Sequence, residues 1–417
     1  MRIVILGAGV VGVCTAWYLA RDGHEVVVLD RNPEAGAEAT WGNAGLIAPS
    51  QAYSMASPRI WRMVRQSVFT KSGPLKFRMP PERALVPWML KFLPHCTGAK
   101  ARELTRKKFL LSMHSLAEFH EIVAQTGIRF NDHISGSTNI FRDDATLRSA
   151  WEASEVLREE GLELERLDRD ALVGVEPCLG NLGDQLTGGL RSRIDWTGDP
   201  ALFTRRLLQW LQDKHGVTPL FGKKINALHV DAGRIRHVEV EGGTCSGDAF
   251  VLALGSHSAE LARTVGVRLP IYPVKGYSVT APIGTADPRM TGSIIDSSRR
   301  LALTRIGSSI RVTFKAEFVG HDATIDRSVF RLPLEYLRGL FPGSLDYDAA
   351  HYWSGFRPMT PSGLPIIGRT SYENLYLNTG HGHLGWTMGP GTGKLLSDLI
   401  AGREPDLDLA QVTERIQ

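Results

Sequence analysis

Two stretches near the C-terminal end gather the residues best suited to chemistry: Trp353-Ser-Gly-Phe-Arg-Pro-Met-Thr-Pro-Ser-Gly-Leu-Pro-Ile-Ile-Gly368 and Thr379-Gly-His-Gly-His-Leu-Gly-Trp-Thr-Met-Gly-Pro-Gly-Thr-Gly-Lys394. Arg357 carries a planar fork of donors that suits a carboxylate through two parallel hydrogen bonds. His381 and His383 carry imidazoles whose ordinary pKa of ~6.5 lets them take a proton from an amine. Their alternation with glycine equally suits a turn that offers backbone N–H groups to a ligand, and for His381 a backbone or packing role is the expectation. No Ser-His-Asp set, metal-ligand cluster or P-loop competes. Cys14, Cys96, Cys178 and Cys245 lack the paired spacing of a zinc or dithiol site and read as buried thiols of a reducing compartment.

At the other end, Gly7-Ala-Gly-Val-Val-Gly12 follows the continuous apolar run Ile3–Leu6, the mark of a buried parallel strand. Gly7 makes the tight turn, Gly9 admits a pyrophosphate, and Gly12 lets the next helix pack closely, with Val10 and Val11 at that helix's open end. A second strand, Glu25–Asp30, ends in an acid 18 residues after Gly12, where a carboxylate accepts ribose hydroxyls. Arg31 is expected to be a solvated side chain near the adenine. The pattern predicts a bound dinucleotide without saying which one. It also explains the glycines of the Arg2–Ala20 run better than a signal peptide does.

With 417 residues the chain exceeds a single core, so two domains are expected. A net charge of +4 and the lack of a basic-aromatic recognition motif argue against a nucleic-acid binder. No apolar run is long enough to span a bilayer, so a cytoplasmic protein is expected. Between residues 59 and 108, thirteen Lys and Arg face only Glu82 and Glu103, with Trp61, Phe69, Phe77, Trp88, Phe92 and Phe109 interleaved. Such a stretch is either a solvated basic face over core aromatics or a contact with the inner face of an anionic membrane. Helices are predicted over 103–127, 143–161, the stretch opened by Asp199-Pro200, and 332–341. Strand character appears over 130–141, 216–221, 224–230, 234–240 and 249–255, then in an antiparallel β pattern from Ile271 onward.

Taken together, the two ends resemble the D-amino-acid oxidase superfamily, and within it the bacterial D-amino-acid dehydrogenase branch, over nearly the whole chain. The resemblance is carried by 1–49, by Tyr272-Pro-Val-Lys-Gly-Tyr277 and by 352–405. It implies an α/β protein of the D-amino-acid oxidase fold, with a Rossmann-type FAD-binding domain and a discontinuous antiparallel β-sheet substrate domain. The expected division is 1–58, 191–265 and 351–417 for FAD against 59–190 and 266–350 for substrate. FAD contacts would come from the fingerprint, Asp30, Asn43-Ala-Gly-Leu46, Ile225, Leu254, Gly255, Gly380, Gly382, His383, Leu384, Gly385 and Thr387. The loop over 36–49 lacks His and Cys, so the FAD is expected to be non-covalent. Arg357 corresponds to the arginine that grips the substrate carboxylate. Tyr277 would donate to that carboxylate or shape a lid, Tyr53 would line the pocket, and Arg311 would add a second cation or face solvent. Lys275 would touch the flavin or lie at the surface.

The implied reaction is dehydrogenation of a D-amino acid at Cα, with electrons passed to a quinone or another carrier and assembly with partner subunits as the alternative role. The sequence departs from the branch at Glu38-Ala-Thr-Trp41 and at Gly389-Pro-Gly391. Trp41 is expected to narrow the pocket, which would favour a cyclic D-imino acid such as D-proline.

Overall fold

A computed structural model describes residues 1–58, 60, 75–77, 82–414 and 416. Part of the basic stretch noted over 59–108, including Arg59, Arg62, Arg65, Lys71 and Arg78, lies outside the described residues. The apolar runs Arg2–Leu6, Glu25–Leu29 and Ala249–Leu252 form the buried middle of a six-stranded sheet. Its strand order is 366–369, 375–379, 249–252, 2–6, 25–29, 218–220, and only the first pair is antiparallel. Parallel strands covered on both faces need no polar alternation, which is why these runs are continuous.

One face of this sheet is covered by helices Val10–Arg21, Pro200–His215, Gly98–Thr126 and Gly385–Ala401, which share one core. The last of these fits against its neighbours through small residues. A Cβ on Gly391 would stand 2.8 Å from the Ser115 Cβ, and one on Gly393 3.0 Å from the Cys14 carbonyl carbon. The other face carries a three-stranded sheet, Ile225–Asp231, Arg234–Val240 and Gly243–Ser246, in agreement with the predicted hairpin.

A second, nine-stranded sheet runs 351–359, 272–282, 309–318, 301–306, 293–296, 137–141, 188–192, 165–168, with 75–77 added beside 309–318. Helix Arg331–Leu340 packs Tyr336, Leu337 and Leu340 against one side of it. Four differences from the expected layout stand out. The long helix starts at Gly98 because the Thr97 hydroxyl caps it, accepting from the Lys100 N–H. Although it falls within 59–190, its Phe119 packs edge-on to Trp386 at 4.8 Å, so the helix joins the core of the parallel sheet. Strand His351–Met359 pairs with Tyr272–Pro282, so the chain rejoins the parallel sheet after Met359 and not at 351. Of the predicted strand 130–141, only Ser137–Phe141 forms.

Candidate functional site

A cavity of about 1020 Å³ separates the two sheets, at the upper end of the range for small-molecule sites. Its first wall is the glycine turn. Gly7 has φ of 116°, and a Cβ there would stand 2.5 Å from the Ala253 carbonyl oxygen. A Cβ on Gly12 would stand 1.9 Å from the Gly7 oxygen, so this glycine sets the helix against the turn without itself bordering the cavity. Gly9 is the N-cap of the first helix and offers no side-chain cap. That end of the helix therefore points its first-turn N–H groups and positive dipole at the cavity, beside Val10 and Val11. Thr40, which sequence reasoning passed over, accepts from the Val10 N–H at 3.1 Å.

The Asp30 carboxylate borders the cavity while accepting from the Ala8 N–H at 2.8 Å and from the Asn32 N–H at 2.8 Å. Arg31 is not simply solvated: it pairs with Glu38 at 2.5 Å, and the pair borders the cavity together with His257. Ile225, Leu254 and Gly255 close this end. The length and chemistry of the cradle, with anion-ready amides in the middle and a carboxylate beyond them, fit a dinucleotide.

Asn43, Ala44 and Leu46 border the next part of the cavity, and Gly382, His383, Leu384 and Gly385 face them. Gly45, Gly380 and Thr387 stand behind this lining. Thr387 instead clamps the loop: its hydroxyl accepts from the Ala48 N–H at 3.1 Å and donates to the Leu46 carbonyl at 3.3 Å. His381 is buried and shares a hydrogen bond with the Thr392 hydroxyl at 3.0 Å. Burial pushes its pKa down to about 3, so the ring is neutral. His383 is also held well below the usual histidine range, first by burial and then by the charges of Lys108 and Arg357. Lys108 is buried, donates to the Tyr53 carbonyl at 2.8 Å, and is pushed down to about 7 by desolvation.

The opposite wall is the face of the nine-stranded sheet. Alternation along His351–Met359 puts Trp353, Gly355 and Arg357 on that face. The Arg357 guanidinium lies flat over Gly276 of the neighbouring strand, where a Cβ would stand 2.6 Å from Nη2. It donates to the Lys315 carbonyl at 3.0 Å and has no carboxylate partner among the described residues. Lys315 is in the left-handed region, φ 62°, at a register shift between Lys275 and Tyr277 that turns its carbonyl toward the arginine.

The remaining expected site residues are placed differently. Tyr277 borders the cavity, but its hydroxyl already donates to Glu317 at 2.7 Å, and burial beside that carboxylate raises its pKa. Tyr53 packs on the helical core and Trp41 against His351, and neither lines the cavity. Trp41 turns away because Gly42, next in the chain, passes directly under the Trp353 indole, which is the residue that does line the cavity. Arg311 is buried, not solvated. It donates to the Trp41 carbonyl at 2.6 Å and to the Asn43 carbonyl at 3.0 Å, and desolvation pushes its pKa down to about 10. Lys275 is neither at the surface nor at the cavity: it is buried and donates to the Thr324 carbonyl. Trp353 and Gly355 could have been found from the sequence, since Trp-Ser-Gly-Phe-Arg on a strand puts tryptophan, glycine and arginine on one side.

A βαβ dinucleotide cradle opening onto a second sheet that carries a half-buried arginine without a carboxylate partner fits a dinucleotide-dependent oxidoreductase. The chain belongs to the DAO family, FAD dependent oxidoreductase, whose model matches residues 2–399. Curated relatives include D-amino acid dehydrogenase 2 of Mesorhizobium japonicum, 39% identical over 98% of this chain and 98% of its own length. The D-amino acid dehydrogenase of Rhizorhabdus wittichii is 41% identical, again over 98% of both. Among solved structures, glycine oxidase from Geobacillus kaustophilus superposes with a TM-score of 0.73 at 21% identity over 100% of both chains. L-proline dehydrogenase from P. horikoshii does so with 0.72 at 17% over 97% of this chain and 94% of its own. At such identities these neighbours speak for the fold alone.

Proposed function

We propose that the protein is a D-amino-acid dehydrogenase that oxidises its substrate at Cα, giving an imino acid that hydrolyses to a 2-oxo acid and ammonia. The observation that carries this reading is Arg357: a half-buried guanidinium bordering the cavity, with no carboxylate partner among the described residues. A guanidinium that faces a cavity with open donors is a ready partner for a ligand carboxylate. The curated relatives named D-amino acid dehydrogenase, matched end to end, support the substrate class. In this reading the parallel sheet holds FAD and the nine-stranded sheet holds the substrate.

Bound FAD supplies the two-electron acceptor. The helix end at Gly9–Val11 receives the pyrophosphate, Asp30 the ribose, and the Gly382–Gly385 backbone the ring system, all non-covalently. Arg357 grips the substrate carboxylate and fixes Cα relative to the cavity. His381 packs and orients the turn; burial that pushes its pKa down to about 3 makes it too weak a base to hold the amine proton. Tyr277 supports the sheet through Glu317 and leaves the carboxylate to Arg357. Electrons pass on to a quinone or another carrier, directly or through partner chains; in the basic stretch at 59–108, Lys108 is buried and Arg102 and Arg106 pair with Glu159 and Glu160, which leaves less charge for an anionic membrane surface. Trp41 lies outside the cavity and so does nothing to favour a cyclic D-imino acid.

The test is anaerobic bleaching of the flavin absorbance at ~450 nm by a panel of D- and L-amino acids, D-proline, glycine and sarcosine. D-amino acids should bleach it and their L-enantiomers should not. Bleaching by glycine or sarcosine alone would overturn the proposal.

A further inference from the structure

We propose that Trp353 sets the size limit for the substrate side chain, and that the pocket it walls takes apolar side chains and refuses cationic ones. This rests on Arg357 gripping the carboxylate, as proposed above. Gly276 and Gly355 stand directly opposite each other on neighbouring strands. The Arg357 guanidinium covers the first and the Trp353 indole covers the second, where a Cβ would stand 2.1 Å from the ring. Directly paired positions are ~5 Å apart at Cβ, so guanidinium and indole meet over one small patch of bare backbone. An amino acid held by its carboxylate on Arg357 therefore directs its Cα substituent at the indole.

That wall is confined. A Cβ on Gly42 would also stand 2.0 Å from the indole, so two backbones close in on the ring. Behind it Trp41 lies at 6.2 Å, and the Arg311 guanidinium stacks over Trp41 at 4.9 Å. Past the indole, the same face of the sheet offers Thr313, Ala302 and Ile295 along one paired row, and all three border the cavity. The charged groups at that end are Arg300 and Asp296, and Asp296 is held by Arg142 at 2.7 Å. An apolar side chain gains from this row, while a cationic one meets Arg300 and no free carboxylate among the described residues.

The experiment compares kcat/KM for D-alanine, D-leucine, D-phenylalanine and D-lysine in the FAD-loaded wild type, Trp353→Phe and Trp353→Ala. A pocket tuned to a few carbon atoms discriminates by roughly 10–200-fold per methylene. The ratio of D-phenylalanine to D-alanine should therefore rise at least tenfold in W353A and by an intermediate factor in W353F, with D-lysine poor throughout. A uniform drop for every substrate at unchanged ratios overturns the inference, as does D-lysine ranking with D-leucine in the wild type. W353F keeps the test open if W353A fails to load FAD. If no D-amino acid bleaches the wild type, the reading of Arg357 has failed; bleaching with unshifted ratios condemns only the role of Trp353.

Discussion

Replacing Gly276 by alanine adds one methyl group to a strand and should disable the substrate anchor while leaving the protein intact. The backbone of Gly276 lies outside the left-handed region, so alanine fits its conformation. The new Cβ would stand 2.6 Å from Nη2, 2.7 Å from Cζ and 3.1 Å from Nη1 of Arg357. Ordinary contact needs roughly 3.5 Å, so the whole guanidinium must rise by about 1 Å. A displacement of that size at a positioning group costs on the order of 100-fold. The hydrogen bond to the Lys315 carbonyl would stretch with it. Because a carboxylate anchor acts on bound substrate and transition state alike, most of the loss should appear in KM. Steady-state kinetics on a D-amino acid, read beside FAD content and a thermal melt, measures it. The reasoning fails if G276A keeps kcat/KM within threefold of wild type, or if it loses FAD in proportion to activity.

Three further outcomes follow from the same geometry. Arg311→Met leaves the buried Trp41 and Asn43 carbonyls without their donor and should cost roughly 2–4 kcal/mol in a urea melt, with weaker FAD retention; unchanged stability refutes the bracing role. His381→Asn should leave the pH dependence of kcat between pH 5 and 9 unaltered, since the ring is neutral there; loss of a limb near pH 6–7 in this variant would make His381 the base after all. Asp195 is fully buried, bonded by the Ser50 and Ser137 hydroxyls, and pushed up to about 6 by desolvation. The folded protein thus keeps a proton that the unfolded chain loses near pH ~4, so its stability falls as pH rises from about 4 through 6, by ~2–3 kcal/mol. Melting temperatures of wild type and Asp195→Asn against pH should diverge over that window, and a constant difference would refute it.

The nucleotide half of the fold was legible because its signals are local. A continuous apolar run, three glycines at fixed spacing and an acid closing the next strand leave few other solutions. Asp30, Val10 and Val11 duly border the cavity. The substrate half was legible only in part, because a strand declares which residues share a face and not which sheet receives it. His351–Met359 reads the same in either sheet, and only its pairing with Tyr272–Pro282 decides. The long helix posed the same difficulty: its apolar stripe fits any apolar partner, and Trp386 proved to be the one. Trp41 and Trp353 exchanged their expected roles because a loop sequence does not show which way a bare backbone turns. The glycines beside them, Gly42 and Gly355, carried that information.

The chain leaves the parallel sheet for the nine-stranded one twice and returns each time, with strands 366–369 and 375–379 and helix 385–401 following the second return. On a ribosome the glycine fingerprint is made long before the turn at Gly382–Gly385 that lines the same cavity. Domains that are contiguous in sequence can fold as they emerge, but this nucleotide cradle has to wait for its C-terminal wall. Cofactor capture therefore has to follow synthesis of that turn. Until then the growing chain carries only one wall of the FAD cradle.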